Sequence, residues 1–329
     1  MPEMLYRAAL HSALIEEMDR DDKVYLMGED IGRFGGAYRV TDGLLDRYGD
    51  MRVVDTPIAE EVIVGCAIGS AMLGLRPVVE MMTVNFSLVA FDQIVQSAAK
   101  IRYMFGGQAT VPLVIRMPGG AGHQLSAQHS HSFEALYGMI PGLLVVAPTT
   151  PEDAKGLLKS AIRTDNPVIF LESMSLYNMK GEVPDGEYLT PIGKAAVRRE
   201  GSDITIVGVS RQAVLAQLAA QKLEQEDVDA EVIDLRSIRP IDWAPIVESV
   251  KKTNRLLVVE EGWPTYGVSA EIAAGIQKRA FDYLDGPIER IGGAEVPMPY
   301  NQQLEKLAIP SGDDIIRKAL EMVGKKVTA

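Results

Sequence analysis

Short runs of β-branched and other apolar residues alternate along the chain with longer segments of helical character. In the first part of the chain such runs begin at Val24, Arg52, Pro77, Val111, Leu143 and Pro167. This alternation predicts parallel strands joined by helices that cover both faces of a sheet. It resumes later in the chain, at Asp203, Ala230 and Arg255, and a helix over 268–279 follows. The pattern predicts an α/β fold with two α/β domains.

The segment between the two series of strands has turn residues, charges and no hydrophobic period, which is typical of a linker. We place the first domain at 1–185, the linker at 186–200 and a smaller second domain at 201–329. The chain length of 329 residues supports this division, because a single hydrophobic core rarely grows that large.

Two segments predict long helices. The first is expected to have Pro57 in its first turn, and it carries Gly65 and Gly69 one turn apart, where a neighbouring helix can approach closely. The second extends from Phe86 to a glycine stop signal at Gly107. Apolar positions surround both helices almost completely, so we expect both to be buried, often under another subunit.

Composition and charge narrow the classes of function. The net charge of −12 argues against nucleic acid or an anionic membrane surface as a partner, and no apolar window is long enough to cross a bilayer. The N-terminal segment has helical periodicity, unlike a signal peptide. The single cysteine, Cys66, fits a reducing compartment and is expected to be a buried, inert thiol. We therefore expect a soluble cytoplasmic protein.

Two adjacent carboxylates, Glu60 and Glu61, stand where a predicted strand passes into a buried helix, in the segment DTPIAEE. Neighbouring helical residues point about 100° apart, so a buried helix cannot expose both of them. One should line a cavity, where burial raises the pKa of a carboxyl and the helix N-terminus opposes that rise. Capping of the first helical turn is the alternative interpretation.

A glycine-rich polar segment, Gly119–Ser132, follows the predicted strand VPLVIR, and doubly wound folds bind ligands in this position. It contains three of the four histidines, His123, His129 and His131, which suit acid–base chemistry. A polar surface loop is the alternative. Zinc binding lacks a third ligand nearby, and the glycines match neither a dinucleotide fingerprint nor a P-loop.

Several long motifs occur in order along most of the chain, namely GEDIGRFGGAY, RVVDTPIAE, GLRPVVEMMTVNFSLVAFDQ, AQHSHSFEALYG and AEVIDLRSIRPID. Together they resemble the β subunits of thiamine-diphosphate-dependent 2-oxo-acid dehydrogenases. The resemblance implies a transketolase-like pyrimidine-binding domain followed by a transketolase C-terminal domain. The family holds the diphosphate and its magnesium ion with a GDG motif, which this sequence lacks. An α subunit is therefore implied to supply that half of the site, in an α2β2 heterotetramer.

The resemblance also implies roles for individual residues. Glu60 resembles the carboxylate that hydrogen-bonds N1′ of the aminopyrimidine and favours the imino tautomer that deprotonates C2 of the thiazolium. Phe86 resembles the aromatic residue that packs on this ring, although a core aromatic is equally compatible with the spacing. His129 resembles the histidine that orients the substrate carboxylate or the dihydrolipoyl group and transfers protons in reductive acylation. Weaker cofactor contacts are implied at Glu29, Ile58 and Met82.

A structural potassium site is also implied by the resemblance. Its ligands would be the backbone carbonyls of Leu113, Ala161, Ile162, Thr164 and Asn166. Thr164 stands where the family usually has an acidic residue.

The segments MTVNFS and RMPGGAG resemble the pyruvate type of the family more than the branched-chain or acetoin types. The implied function is decarboxylation of pyruvate with acetyl transfer to a lipoyl group of an acyltransferase. An alternative from another class is an assembly subunit, whose second domain docks the complex to the acyltransferase core. Acidic runs such as VEEGW and SGDD predict a docking surface there for a basic peripheral-subunit-binding domain. An NAD-linked oxidoreductase is disfavoured by the missing glycine fingerprint.

Overall fold

The computed structural model describes residues 2–325, which form two compact units. The first unit consists of residues 2–119 and 136–192, and the second of residues 120–135 and 193–325. The glycine-rich histidine segment thus belongs to the second unit, although it lies in the first half of the sequence.

The first unit is built around a parallel sheet. Its strands are β1 (Glu3–Leu5), β2 (Val24–Gly28), β3 (Val53–Asp55), β4 (Arg76–Glu80), β5 (Val114–Gly119), β6 (Leu144–Val146), β7 (Val168–Ser173) and β8 (Lys180–Glu182). Within this unit β2 to β7 pair in parallel, in the order β6-β7-β5-β4-β2-β3, while β1 and β8 pair separately and antiparallel. Most residues of the central strands are buried, as expected for a sheet with both faces covered.

The helices that connect these strands are α1 (Tyr6–Arg20), α2 (Leu44–Tyr48), α3 (Glu60–Met72), α4 (Ile101–Met104), α5 (Glu134–Gly138) and α6 (Pro151–Arg163). The first two residues of α5 belong to the second unit. Helix α1 packs against α6. The start of α6 is fixed by Thr150, whose hydroxyl accepts the backbone N–H of Asp153 at 3.1 Å, and by Pro151 in the first turn.

Both predicted long helices differ from the observed structure. Helix α3 begins at Glu60, so Pro57 precedes the helix and is not in its first turn. Residues 86–107 do not form one helix, because a 3-10 turn, a π-helical segment and α4 follow one another, at Val84–Leu88, Gln93–Ala98 and Ile101–Met104. The prediction of one helix was wrong because apolar residues on every side leave no period that distinguishes these helix types.

One face of α3 is exposed in the single chain. Val62 and Leu73, the residue that directly follows α3, are 59% and 89% exposed, and Cys66 and Gly69 lie between them at helical spacing. We call these four residues the α3 face. The prediction of a buried Cys66 is therefore wrong for the single chain, and a side chain at Gly69 would meet no described atom within 4 Å. An exposed apolar helix face of this kind is typical of a protein–protein interface.

The second unit has a five-stranded sheet and its own core. The strands of this sheet are β9 (Ala196–Arg199), β10 (Ile204–Gly208), β11 (Ala230–Asp234), β13 (Leu256–Val259) and β14 (Glu289–Ile291), and the unit also contains β12 (Ser237–Arg239), which is not part of this sheet. The sheet has the order β14-β13-β10-β11-β9, in which only β9 pairs antiparallel. The range predicted as a linker, 186–200, includes β9.

The helices of the second unit are α7 (Arg211–Glu224), α8 (Trp243–Thr253), α9 (Val268–Ala280), α10 (Gln302–Ala308) and α11 (Gly312–Met322). Helices α7 and α11 pack together, and a fully buried cluster joins them to the sheet through residues such as Ile206, Val232, Leu223 and Ile315. The predicted fold class, two α/β domains with parallel-rich sheets, is confirmed. Among residues 2–325, every helix is too short or too polar to cross a bilayer.

Candidate active site

The carboxyl ends of three neighbouring strands lie at one edge of the first unit's sheet. Gly28 at the end of β2 pairs in register with Asp55 of β3 on one side and with Glu80 of β4 on the other. Parallel α/β sheets bind ligands at this edge. All five predicted cofactor contacts follow these strands directly in the chain, namely Glu29, Ile58, Glu60, Met82 and Phe86.

Glu29 and Glu60 are two buried carboxylates in this region, each 6% exposed. Burial and the charges of Glu60 and Asp30 raise the pKa of Glu29, so the side chains of Glu29 and Glu60 interact. Neither carboxylate has a hydrogen-bond or ion-pair partner among the described residues, and the buried hydroxyl of Thr56 also lacks one there. Buried polar groups without partners cost free energy, so a ligand that carries hydrogen-bond donors fits this arrangement.

Glu60 and Glu61 differ sharply in their surroundings. Glu60, the first residue of α3, is buried, whereas Glu61 is exposed. Only Glu60 can therefore line a cavity at the sheet edge. Phe86 and Met82 are partly buried, while Ile58 is 80% exposed.

The loops around the two carboxylates are held by backbone hydrogen bonds. The Asp55 carboxylate accepts the backbone N–H groups of Gly32 at 2.6 Å and Arg33 at 3.2 Å. The N–H of Thr56 donates to the carbonyl of Gly28 at 3.0 Å. These contacts fasten the loop after β2 to the end of β3, so Glu29 and Glu60 are presented from a fixed framework.

A buried charge cluster connects β4, β5 and β7 of the same sheet. Arg116, 1% exposed, donates to Glu80 at 2.5 Å and to both oxygens of Glu172 at 2.7 and 2.9 Å. The hydroxyl of Tyr177 donates to Glu172 at 2.7 Å. Burial raises the pKa of Glu80, although Arg116 opposes the rise. Sequence reasoning missed this cluster, and its signal was the presence of charged residues inside otherwise apolar strands.

The histidine loop, residues 120–132, is held by carboxylates of its own unit. Glu261 accepts the N–H of Ala121 at 2.7 Å and lies 3.4 Å from the hydroxyl of Ser132. Glu305 of α10 accepts the N–H groups of Gly122 and Gln124, each at 3.0 Å. His129 is partly buried, and its backbone N–H donates to the carbonyl oxygen of Ser126 at 3.3 Å.

The other histidines have different environments. His123 is exposed, whereas the ring of His131 stacks on Phe133 with a centroid distance of 4.7 Å. Burial and the charge of His129 lower the pKa of His131. Within residues 2–325 no cluster of three or more His, Cys, Asp or Glu side chains has an arrangement that could hold a metal ion.

The acidic run VEEGW does not offer the docking surface that the sequence predicted. Glu260 is buried and accepts the N–H groups of Val268 and Ser269 at the start of α9, at 3.0 and 2.9 Å. Glu261 is engaged with the histidine loop and lies 3.3 Å from the guanidinium of Arg211. Their charges are satisfied inside the unit, so the prediction was wrong for this run.

Two of the five carbonyls predicted to bind potassium contact a guanidinium. Nη1 of Arg76 donates to the carbonyls of Ile162 and Thr164, at 3.0 and 3.1 Å. The carbonyl of Leu113 accepts the N–H of Val168 at 2.8 Å. A second cation at the oxygens beside Arg76 would meet like charge. Potassium binding stays a prediction.

Comparison with known proteins identifies the relatives of the chain. The transketolase pyrimidine-binding domain matches residues 2–180, and the transketolase C-terminal domain matches residues 193–315. A solved structure of a split-gene transketolase, described as an inactive β4 tetramer, covers 98% of this chain and 99% of its own with a TM-score of 0.81. The two sequences are 22% identical, so this likeness concerns the fold alone.

Two sequence relatives are much closer. The pyruvate dehydrogenase E1 component subunit beta of Rickettsia felis is 54% identical over 310 residues, which cover 94% of this chain and 95% of that protein. The mitochondrial subunit beta-1 of Arabidopsis thaliana is 53% identical over 319 residues, 96% of this chain and 88% of that protein. With two transketolase-type domains and this identity over nearly its whole length, the chain belongs to the family of pyruvate dehydrogenase E1 component β subunits.

Proposed function

We propose that this chain is the β subunit of an acetyl-transferring pyruvate dehydrogenase, active together with an α subunit. The reaction is the oxidative decarboxylation of pyruvate, with transfer of the acetyl group to a lipoyl group of the acyltransferase. Beyond membership of this family, one structural observation supports the proposal. The buried carboxylates of Glu29 and Glu60 lie without partners among the described residues at the ligand-binding edge of a parallel sheet.

When bound, thiamine diphosphate would supply the nucleophilic carbon and the electron sink that decarboxylation of a 2-oxo acid requires. Glu60 exchanges a proton with N1′ of the pyrimidine ring, which is the donor that its buried carboxylate lacks. Phe86 offers a flat apolar surface to the ring, and Glu29, Ile58 and Met82 line the same region. His129 orients the substrate carboxylate or the dihydrolipoyl group and moves a proton during acetyl transfer, since imidazole donates and accepts protons near neutral pH.

The proposal includes several partners. The α subunit provides the GDG motif, and with it the diphosphate and magnesium half of the site. The exposed α3 face supports an obligate assembly, for which we propose α2β2. The second domain receives the peripheral-subunit-binding domain of the acyltransferase, and the lipoyl domain reaches His129. We place the enzyme in the cytoplasm, where the single cysteine stays reduced. We also propose that the linker between the two domains lies at 186–200. A potassium ion near Leu113 is a further part of the proposal.

Reconstitution with the α subunit tests this function. Turnover of pyruvate should exceed turnover of branched-chain 2-oxo acids and acetoin, and the chain alone should show none. A preference for another substrate would indicate a branched-chain 2-oxo-acid or acetoin dehydrogenase instead. If Glu60→Gln and the unmodified chain assemble and turn over equally, the chain serves assembly rather than catalysis.

A further inference from the structure

The carboxylate of Glu305 accepts several hydrogen bonds from the histidine loop. It accepts the backbone N–H groups of Gly122 and Gln124 at 3.0 Å and the side-chain amide of Gln124 at 3.1 Å. Glu305 is 1% exposed, so these bonds are shielded from water. Asn301 caps α10 by accepting the N–H groups of Gln303 and Leu304, which fixes the helix that carries Glu305.

The backbone that Glu305 holds is unusual. Gln124 and Ser126 have φ angles of 52° and 68°, in the left-handed region that residues other than glycine seldom adopt. Such conformations cost free energy and persist only where surrounding contacts fix them. For Gln124, the contacts are those with Glu305.

The constrained backbone leads directly to His129. The carbonyl oxygen of Ser126 accepts the backbone N–H of His129 at 3.3 Å and the hydroxyl of Ser130 at 2.8 Å. Gln124 and Ser126 are thus two consecutive fixed points of the loop, and His129 is bonded to the second. We therefore expect a change in the backbone at Gln124 to alter the position of His129.

A carboxylate is needed for this arrangement. Burial by itself would raise the pKa of Glu305, but the hydrogen bonds from Gln124, Gly122 and His123 lower it overall, so the folded loop favours the charged form. Hydrogen bonds to a charged acceptor are roughly twice as strong as neutral ones. A glutamine in this position would have one acceptor oxygen and would aim its amide N–H at other donors.

We propose that Glu305 is a positioning residue for His129, holding the histidine loop in the conformation that acetyl transfer requires. This inference rests on the proposed function, because it assumes that His129 acts in that step. Glu305 itself touches no reacting atom and works through the backbone of Gln124 and Ser126.

Hydrogen–deuterium exchange on the assembled enzyme tests the contact itself. In Glu305→Gln, peptides covering 120–132 should exchange about tenfold faster or more, which corresponds to the loss of a charged hydrogen bond. Peptides covering β10 should not change, and Glu305→Asp should restore part of the protection. Asp203→Asn is the matched control, because Asp203 lies in the same unit and its carboxylate accepts the backbone N–H of Asp229 at 2.8 Å, outside the histidine loop. Unchanged exchange in Glu305→Gln would overturn the proposal.

A double-variant cycle tests the link to His129. Acetyl transfer to a lipoyl domain should slow about tenfold or more in Glu305→Gln, whereas Asp203→Asn should transfer at the unmodified rate. In a His129→Gln background, Glu305→Gln should cause no further loss. Additive losses would show that Glu305 does not act through His129. If His129→Gln alone transfers acetyl groups normally, the role proposed for His129 fails and the positioning claim fails with it, while the exchange rates still report whether Glu305 holds the loop.

Discussion

The carboxylate of Glu29 lies close enough to that of Glu60 for the two charges to interact, at the carboxyl edge of the first unit's sheet. Burial and the charge of Glu60 raise the pKa of Glu29. Two like charges in a buried site are unfavourable unless a ligand brings a proton or a donor. The pair therefore favours a nitrogen heterocycle that can share a proton, as the aminopyrimidine does.

Replacement of Glu60 by glutamine should slow proton exchange at C2 of the bound cofactor. Glutamine keeps the size of the side chain but cannot take part in proton transfer at N1′. We expect turnover to fall on the order of a hundredfold or more, the scale typical of a lost acid–base group. C2 hydrogen exchange in the reconstituted complex, followed by NMR, measures this step directly.

Glu61→Gln is the matched control, because Glu61 adjoins Glu60 in the sequence but is exposed. It should change turnover little. Equal exchange in Glu60→Gln and unmodified protein, or a larger defect in Glu61→Gln, would show that the catalytic carboxylate has been assigned to the wrong residue.

A charge on the α3 face should prevent assembly. Val62→Asp places a carboxylate on a surface that we propose to be covered by another subunit, where an unpaired charge is costly. The variant should fold yet fail to form the heterotetramer, as measured by light scattering after mixing with the α subunit. Met51→Asp is the control, since Met51 is 85% exposed and lies outside α3. Normal assembly of Val62→Asp would exclude this face from the interface.

The strands could be predicted because their sequences are distinctive. The predicted runs at Val24, Pro77 and Asp203 are largely apolar and β-branched, and each contains a buried strand. The interruptions between residues 84 and 104 could not be predicted, because a segment that is apolar on all sides shows no period. Exposure of Cys66 in the single chain was not predicted for a related reason. An apolar helix face predicts burial, but its sequence does not tell whether the same chain or a partner subunit buries it.

The candidate site was only partly accessible from the sequence. Adjacent carboxylates after a strand predicted that one of them is buried, and Glu60 is that residue. The contacts of Glu305 with Gly122 and Gln124 join residues more than 180 positions apart, and no local pattern encodes such a pairing. The same holds for Arg116 with Glu80 and Glu172, which meet only after three strands align.

Removal of the Arg116 charge should destabilise the first domain strongly. Arg116→Met leaves the carboxylates of Glu80 and Glu172 buried without their cation, a change that typically costs about 3–5 kcal/mol in the free energy of unfolding. Urea unfolding at fixed protein concentration measures the loss. Arg39→Met should cost far less, because the Arg39 to Asp42 pair is exposed.

The loss in Arg116→Met should also depend on pH. Without the guanidinium, burial raises the pKa of Glu80 with no opposing cation, so the folded state binds this proton more tightly than the unfolded state. Stability should therefore recover as the pH falls and decline as it rises. A loss that is equal at pH 5 and pH 8 would contradict this account of the cluster.

Glu134, which follows the histidine loop, should make the stability of the second unit depend on pH. Burial, together with the charges of Glu261 and Glu260, raises the pKa of Glu134 to about 7. The same carboxyl in the unfolded chain titrates near 4.5, so between these two values the folded state binds more protons. The contribution of Glu134 to stability is thus fully present below pH 4.5 and is lost as the pH rises through about 7.

Glu134→Gln abolishes this titration without removing much volume. The variant should therefore gain stability relative to the unmodified protein as the pH rises, by on the order of 1–3 kcal/mol between pH 4 and pH 8. Urea unfolding of the assembled enzyme at both pH values, at one protein concentration, gives this difference. Glu226→Gln serves as the control, because Glu226 is exposed. If the two variants show the same dependence on pH, the carboxyl of Glu134 does not keep its proton in the folded protein.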